Sequence, residues 1–231
     1  MDMFAYEKEF GQNYSQIVGV DEVGRGPYAG PVVAAAVILP ANAEKTILGL
    51  NDSKKLTAKK REELNKILLE REDVKVSIIE LSHEVVDELN ILQATHKAMR
   101  MAVEELMPEA DFILVDGKPV PNLPLPSQNI IKGDSKSASI AAASIVAKVY
   151  RDNIMIAADK KYPGYGFAKN MGYGTKQHRE ALEEQGVCPI HRRSFTPIAE
   201  RLGIKKEVKK PAKKYLGKKK KQDDPNQRML F

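Results

Sequence analysis

The sequence predicts an α/β fold in which one mixed β-sheet is flanked by helices on both faces. Three observations lead there. The segments "QIVGVDEV" (16–23), "PVVAAAVIL" (31–39) and "DFILVDG" (111–117) are short apolar runs without alternation, as strands covered on both faces require. Helical patterns separate most of the strands, yet the first two strands follow one another directly, so strict βα alternation is broken and the sheet should be mixed. The length of 231 residues suits one sizeable domain with an appendage.

The elements follow in order. A short helix is expected over residues 4–10, then the strand at 16–23, the loop "GRGPYAG" (24–30) and the strand at 31–39. "LNDSKKLTAKKREELNKILLERE" (50–72) opens with turn residues and continues as an amphipathic helix, with Thr57 placed to cap its start. "VKVSIIEL" (74–81) alternates and reads as a strand; residues 82–107 read as a short helix followed by a long one. After the strand at 111–117, the proline-rich "KPVPNLPLPS" cannot be helical and leads to a short strand at 128–133. Residues 134–162 form a long helix whose Ala and Ser side chains permit close approach to the sheet. Residues 163–175 read as loop and 176–186 as a polar helix. The domain is expected to end near residue 202, with a lysine-rich disordered tail over 203–231.

Charge is distributed unevenly. The whole chain carries +6, but the tail alone carries +8, leaving −2 on residues 1–202. The body is therefore no general polyanion binder, and any nucleic-acid role must come from local placement of charge. A single cysteine, Cys188, excludes an internal disulfide and fits a reducing cytosol. No apolar run approaches the ~20 residues of a membrane helix, and the N-terminus lacks a signal-peptide pattern. The chain is expected to act in the cytoplasm as a monomer.

Four acids sit at the ends of buried segments: Asp21 and Glu22 after "IVGV", Asp116 after "FILV", and Asp134 after "IIKG". Any one of them alone would be an ordinary turn former or cap, and Asp134 could cap the helix that follows it. Together, at strand ends that converge in space, they repel unless cations neutralise them. Magnesium or manganese is the expected neutraliser, because hard cations prefer a few carboxylates completed by phosphate oxygens. Two such ions ~3.5–4 Å apart activate a water and stabilise the leaving oxygen of a phosphodiester. In Gly24-Arg25-Gly26 the glycines let backbone N–H groups approach a sugar or phosphate, and Arg25 adds a planar donor fork; alone, the tripeptide is equally a tight turn. Neither a dinucleotide fingerprint nor a triphosphate-binding loop is present. Ser53, Lys54 and Lys55 in "NDSKKL" are candidates for phosphate contact, as are Arg192 and Arg193 in "HRRSF". Lys148 and Arg151 are expected on a solvated helix face, with Arg151 able to pair with an acid. A zinc site from His178, Cys188 and His191 has only one CxxH spacing behind it.

The motifs "GVDEVGRGPYAGPVVAAAVIL", "GLNDSKKL", "ELNILQATHKAM", "ILVDGK", "IKGDSKSASIAAASIVAKVYRD", "GYGTKQH" and "HRRSF" together resemble bacterial ribonuclease HII, over about residues 15–200. The resemblance implies a ribonuclease H-like mixed sheet with flanking helices. It also implies cleavage of RNA in RNA–DNA hybrids and on the 5′ side of single ribonucleotides in duplex DNA, leaving 3′-hydroxyl and 5′-phosphate ends. The family's four metal-binding acids fall on Asp21, Glu22, Asp116 and Asp134, and its 2′-hydroxyl-reading loop on Gly24-Arg25-Gly26, in keeping with the 2′-OH as the mark of RNA. The tyrosine that packs on the deoxyribose after the ribonucleotide falls on Tyr173. Ribonuclease HIII, the related class, commonly has a "GKG" loop and a long extra N-terminal domain; Arg25 and the early first strand favour HII.

The last five residues, "QRMLF", place Gln227, Leu230 and Phe231 in a QxxLF pattern similar to peptides that dock into bacterial sliding clamps. A flexible linker of 24 residues would span roughly 25–30 Å. The basic tail would also hold phosphates nonspecifically. Two competing readings follow: a noncatalytic clamp or nucleic-acid adaptor, which would be indifferent to chelator, and a deoxyribonuclease on the same fold, which would ignore the sugar at the scissile position.

Overall fold

Strand β1 (Ile17–Val23) is the axis of the sheet in this computed structural model, which describes residues 2–107 and 109–204. β2 (Val32–Ile38) and β3 (Lys75–Leu81) extend the sheet on one side, each antiparallel to its neighbour; β4 (Phe112–Asp116) and β5 (Ser127–Ile130) extend it on the other, both parallel. The spatial order is β3-β2-β1-β4-β5. The sheet is thus mixed, as the broken βα alternation requires. Every residue of β2 is buried, because even positions such as Ala34 and Ala36 pack on one helical layer and odd positions such as Val33 and Ala35 on the other.

The helices are α1 (Ala5–Phe10), α2 (Ala43–Thr46), α3 (Ala58–Glu70), α4 (His83–Leu89), α5 (Ile91–Glu104), α6 (Ala138–Lys161), α7 (Phe167–Asn170), α8 (Lys176–Gln185) and α9 (Thr196–Arg201). α4 and α5 cover one face of the sheet through Val86, Ala94, Ala98 and Val103, while α3 and α6 cover the other through Leu64, Leu68, Ala141 and Ile145. Thr57 caps α3 by accepting from Lys60 N–H at 3.2 Å. The small residues of α6 allow the expected close approach. A Cβ on Gly19 in β1 would overlap the Ser139 backbone, so no other residue fits there.

The structure departs from the sequence expectation in three unforeseen short helices, in the start of the long helix, and in β5, which ends at Ile130 and not at residue 133. The short helices α2 and α9 and the single-turn α7 are too brief for a 3.6-residue period to show. The long helix starts at Ala138 because Ser137, whose side chain accepts from Ile140 N–H, is its cap. Asp134 lies earlier, in a 3₁₀ turn (Gly133–Ser135), and is released from capping. The basic tail and its QxxLF peptide lie outside the described residues.

Candidate active site

The parallel pairing of β1 with β4 brings distant acids together. Val20 pairs with Val115, so Asp21 and Asp116 come next to each other one residue later at the same end of the sheet. Glu22 follows Asp21 in the strand, directed to the opposite face, yet its carboxylate comes round the strand end. Asp21, Glu22 and Asp116 each offer an oxygen within 4.8 Å of the others, and among the described residues no other trio of His, Cys, Asp or Glu does so.

Burial and mutual repulsion shape these carboxylates. Asp21 is only 5% exposed; burial raises its pKa well above the usual carboxylate range, and the charges of Glu22 and Asp116 push the same way. Burial likewise raises Glu22, with the Arg25 hydrogen bond opposing. Asp116 is raised by burial, opposed by the Gly133 N–H that donates to its Oδ1 at 2.6 Å. Asp134, 5% exposed, joins through that turn and raises Asp116 further by its charge. Side-chain cations already answer the excess: Arg25 Nη1 lies 3.0 Å from Glu22 Oε1 and Lys54 Nζ 3.2 Å from Asp134 Oδ2. For Lys54, burial lowers the ammonium, but Asp134, Asp21 and Asp52 outweigh it and the net shift is upward. Closely spaced, desolvated all-oxygen donors with a local excess of negative charge fit hard divalent cations.

The loop between β1 and β2 is shaped from beneath by two arginines with no exposed surface. Arg192 donates to five carbonyls, those of Gly24, Arg25, Pro27, Gly30 and Pro31. Arg151 donates to Ala29, Pro31 and Met171. Gly24 is held at φ 93° with Arg151 against its α-carbon, where a Cβ would overlap the guanidinium. The Gly24 and Arg25 carbonyls are thus turned to Arg192, while the Arg25 side chain reaches Glu22 in the acid cluster. Tyr173, 43% exposed, sets its ring against Gly26: a Cβ there would lie 3.2 Å from Tyr173 Cε1.

Several expected roles change here. Arg192 does not reach the surface, and its donors are occupied by the loop, so it holds the loop's shape and is not placed to touch a phosphate. Ser53 is buried at 3% with its hydroxyl on Ser144 Oγ at 2.9 Å, so it anchors the 51–56 turn. Arg61 braces the same turn, donating to the Ser53 and Leu56 carbonyls. Lys54 and Lys55 remain exposed at the rim. Arg193 is exposed but lines a separate 540 Å³ cavity with His83, Asp87 and Cys188. Arg151 is buried instead of solvated, and Lys148 pairs with Asp152 at 2.7 Å. The zinc trio does not form: His178 and His191 face each other through their Nε2 atoms at 2.9 Å, and His191 Nδ1 accepts from Cys188 N–H. The structural roles of Arg151 and Arg192 left no signal in the sequence, because a buried arginine satisfied only by carbonyls has no acidic partner at a readable spacing.

Fold and site together define a metal-dependent nuclease of the ribonuclease H-like class. The family model described as Ribonuclease HII matches residues 18–198. A Ribonuclease HII of Listeria monocytogenes serovar 1/2a is 54% identical over 201 residues, covering 86% of this chain and 75% of its own length. Among solved structures, ribonuclease H2 of Pyrococcus horikoshii superposes with a TM-score of 0.70 at 27% identity, covering 80% of this chain and 96% of its own. The ribonuclease HII of Archaeoglobus fulgidus, solved in complex with PCNA, gives 0.65 at 27% identity, covering 78% and 95%. The chain belongs to the ribonuclease HII family and is a metal-dependent ribonuclease H.

Proposed function

We propose that the chain nicks duplex DNA on the 5′ side of an embedded ribonucleotide, and cleaves the RNA strand of RNA–DNA hybrids, leaving 3′-hydroxyl and 5′-phosphate ends. The observation that carries this reading is the three-carboxylate cluster of Asp21, Glu22 and Asp116 lying beside a loop whose backbone is locked from beneath. Asp21, Glu22, Asp116 and Asp134 would hold a pair of Mg²⁺ or Mn²⁺ ions. The chemistry such a pair supplies when bound is activation of the attacking water and stabilisation of the leaving oxygen.

The chain's own residues supply selection and orientation. Gly24, Arg25 and Gly26 are the groups to read the 2′-hydroxyl, with Arg25 leaving Glu22 for the substrate. Tyr173, whose ring lies against Gly26, is proposed to pack on the sugar that follows, where a second 2′-hydroxyl would crowd its ring. Lys54 and Lys55 are proposed to carry phosphate contacts beside the acids, and Arg193, which lines a different cavity, to contact the duplex away from them. Gln227, Leu230 and Phe231 are proposed to dock on a sliding clamp; the complex formed by the Archaeoglobus enzyme supports this by analogy. We place the enzyme in the cytoplasm as a monomer.

Cleavage mapping tests the reading. A duplex with one ribonucleotide, incubated with Mg²⁺ or Mn²⁺, should yield a single nick 5′ to that residue and none in chelator, with an all-DNA duplex intact. Equal cutting of the all-DNA duplex would replace this reading with a deoxyribonuclease; binding without cutting would replace it with an adaptor.

A further inference from the structure

Behind Tyr173 lie two histidines that the cleavage chemistry does not use. His178 on α8 is 0% exposed and His191, in the segment before α9, is 1% exposed. His178 Nδ1 lies 2.9 Å from the Tyr173 carbonyl oxygen, the two Nε2 atoms lie 2.9 Å apart, and Cys188 N–H donates to His191 Nδ1 at 2.9 Å. With both rings neutral, one proton arrangement makes all three contacts hydrogen bonds at once. A carbonyl only accepts, so His178 carries its proton on Nδ1 and offers a lone pair at Nε2. His191 must then donate from Nε2, which leaves its Nδ1 as the lone pair that takes the Cys188 N–H. Nδ1 of His191 also lies 3.2 Å from the Cys188 carbonyl, which the His191 N–H already supplies with a donor at 3.1 Å.

The relay is held rigidly at both ends. Phe167 meets His178 edge-on at 5.3 Å between centroids, and Tyr165 meets His191 at 5.2 Å. His191 forms a β-bridge with Ala29, flanked by hydrogen bonds from Gly30 N–H to Ile190 and from Arg192 N–H to Tyr28. Tyr28 N–H in turn donates to Gly172. The same strap therefore grips the loop after Gly26 and, through two imidazoles, the backbone of the residue whose ring leans on Gly26.

We infer that His178 and His191 are positioning residues: their proton-ordered relay fixes the Tyr173 backbone against the Gly24–Gly26 loop and thereby sets how strongly the enzyme prefers an RNA-to-DNA junction. The inference rests on the junction-sensing role proposed for Tyr173. Neutral imidazoles are what the relay requires, and burial lowers both rings, His191 to about 4.

The test compares nicking of a one-ribonucleotide duplex with cleavage of an all-RNA hybrid strand, under single-turnover conditions. His178→Phe removes the donor to Tyr173 and should lower the junction rate about tenfold, the scale of one hydrogen bond, with a smaller change on the all-RNA strand. His178→Asn, whose amide returns a donor near the Nδ1 position, should restore most of the preference. In a Tyr173→Ala background, His178→Phe should add nothing. Equal losses on both substrates, additivity with Tyr173→Ala, or no rescue by Asn would each overturn the relay. Should Tyr173→Ala itself leave the preference unchanged, the junction-sensing role fails, and the relay's effect on preference with it. The unaltered protein supplies a measurement independent of any variant's folding. With four histidines in the chain, long-range ¹H–¹⁵N NMR should show His178 as the Nδ1–H tautomer and His191 as Nε2–H at pH 7. Any other pair of tautomers would refute it.

Discussion

Replacing Arg192 by lysine separates a loop-shaping arginine from a phosphate-binding one. In the structure the guanidinium donates to five carbonyls. Among the described residues, Pro31 alone of the five has a second donor, Arg151. An ammonium has three protons on one atom, so at least two of the five bonds are lost while the buried charge remains. At roughly 1.5–3 kcal/mol for each charge-assisted bond, the cost is about 3–6 kcal/mol, a large share of the ~5–15 kcal/mol typical of a folded domain. The assay is urea unfolding in chelator at matched slope, paired with single-turnover nicking well below the variant's midpoint. Nicking should fall at least about tenfold, since Gly24 and Arg25 lose the donor that orients them. If Arg192 instead met the nucleic-acid backbone, lysine would serve nearly as well and stability would not move. A change below ~1 kcal/mol with nicking intact would therefore refute the buried role.

Asp21→Asn should lower metal-dependent cleavage at least about a hundredfold and weaken Mn²⁺ binding by calorimetry, while the chelated protein becomes no less stable, because ionised Asp21 is raised and costly in the fold. Acid should unfold the protein in part through His191. Its folded pKa of about 4 lies below the unfolded value near 6.5, so the unfolded chain binds the extra proton and stability is lost as pH falls from 6.5 through 4. That loss is about 3 kcal/mol in full, and a His191→Gln variant should show a shallower decline in urea titrations at pH 7, 5.5 and 4.5. Removing residues 203–231 should leave nicking of a short duplex intact at low salt, flatten the salt dependence of binding, and abolish any stimulation by a sliding clamp.

Much of the fold is legible because it rests on unbroken apolar runs. Within "PVVAAAVIL" every residue up to Ile38 is buried since two helical layers cover it, and that burial is what its lack of alternation signals. Three of the acids are legible for a related reason: Asp21 and Glu22 lie near the end of β1 and Asp116 ends β4, both strands with buried apolar runs, and these parallel neighbours end together, whereas Asp134 comes after the mostly exposed β5. What the sequence hides is the second use of charged residues. Arg151 sits in "KVYRD" on the face of α6 that Ala147 and Met155 also bury, but its charge alone reads as solvated; it points under the loop, where carbonyls from two different loops converge. Arg192 and Arg193 are adjacent and chemically identical, and only the β-bridge at Ala29 and His191 decides which is buried. His178 and His191 have no readable spacing because their link passes through tertiary contact between α8 and the strap.

The arrangement of cations around the acids follows one logic. Glu22 and Asp134 are the buried members of their ion pairs, at 13% and 8% side-chain exposure, while Arg25 and Lys54 are the exposed members, at 51% and 78%. Each pair has one solvated partner, and a divalent cation at the carboxylates would take over the neutralisation that Arg25 and Lys54 supply. On the proposed reading, the freed Arg25 and Lys54 are then beside the scissile phosphate, attached to segments that cannot drift. Arg192 holds the first segment by five bonds, and Arg61 with the Ser53–Ser144 contact holds the second. On that reading the buried arginines and serine serve recognition indirectly, by fixing the backbone from which Arg25 and Lys54 exchange an acid for a phosphate.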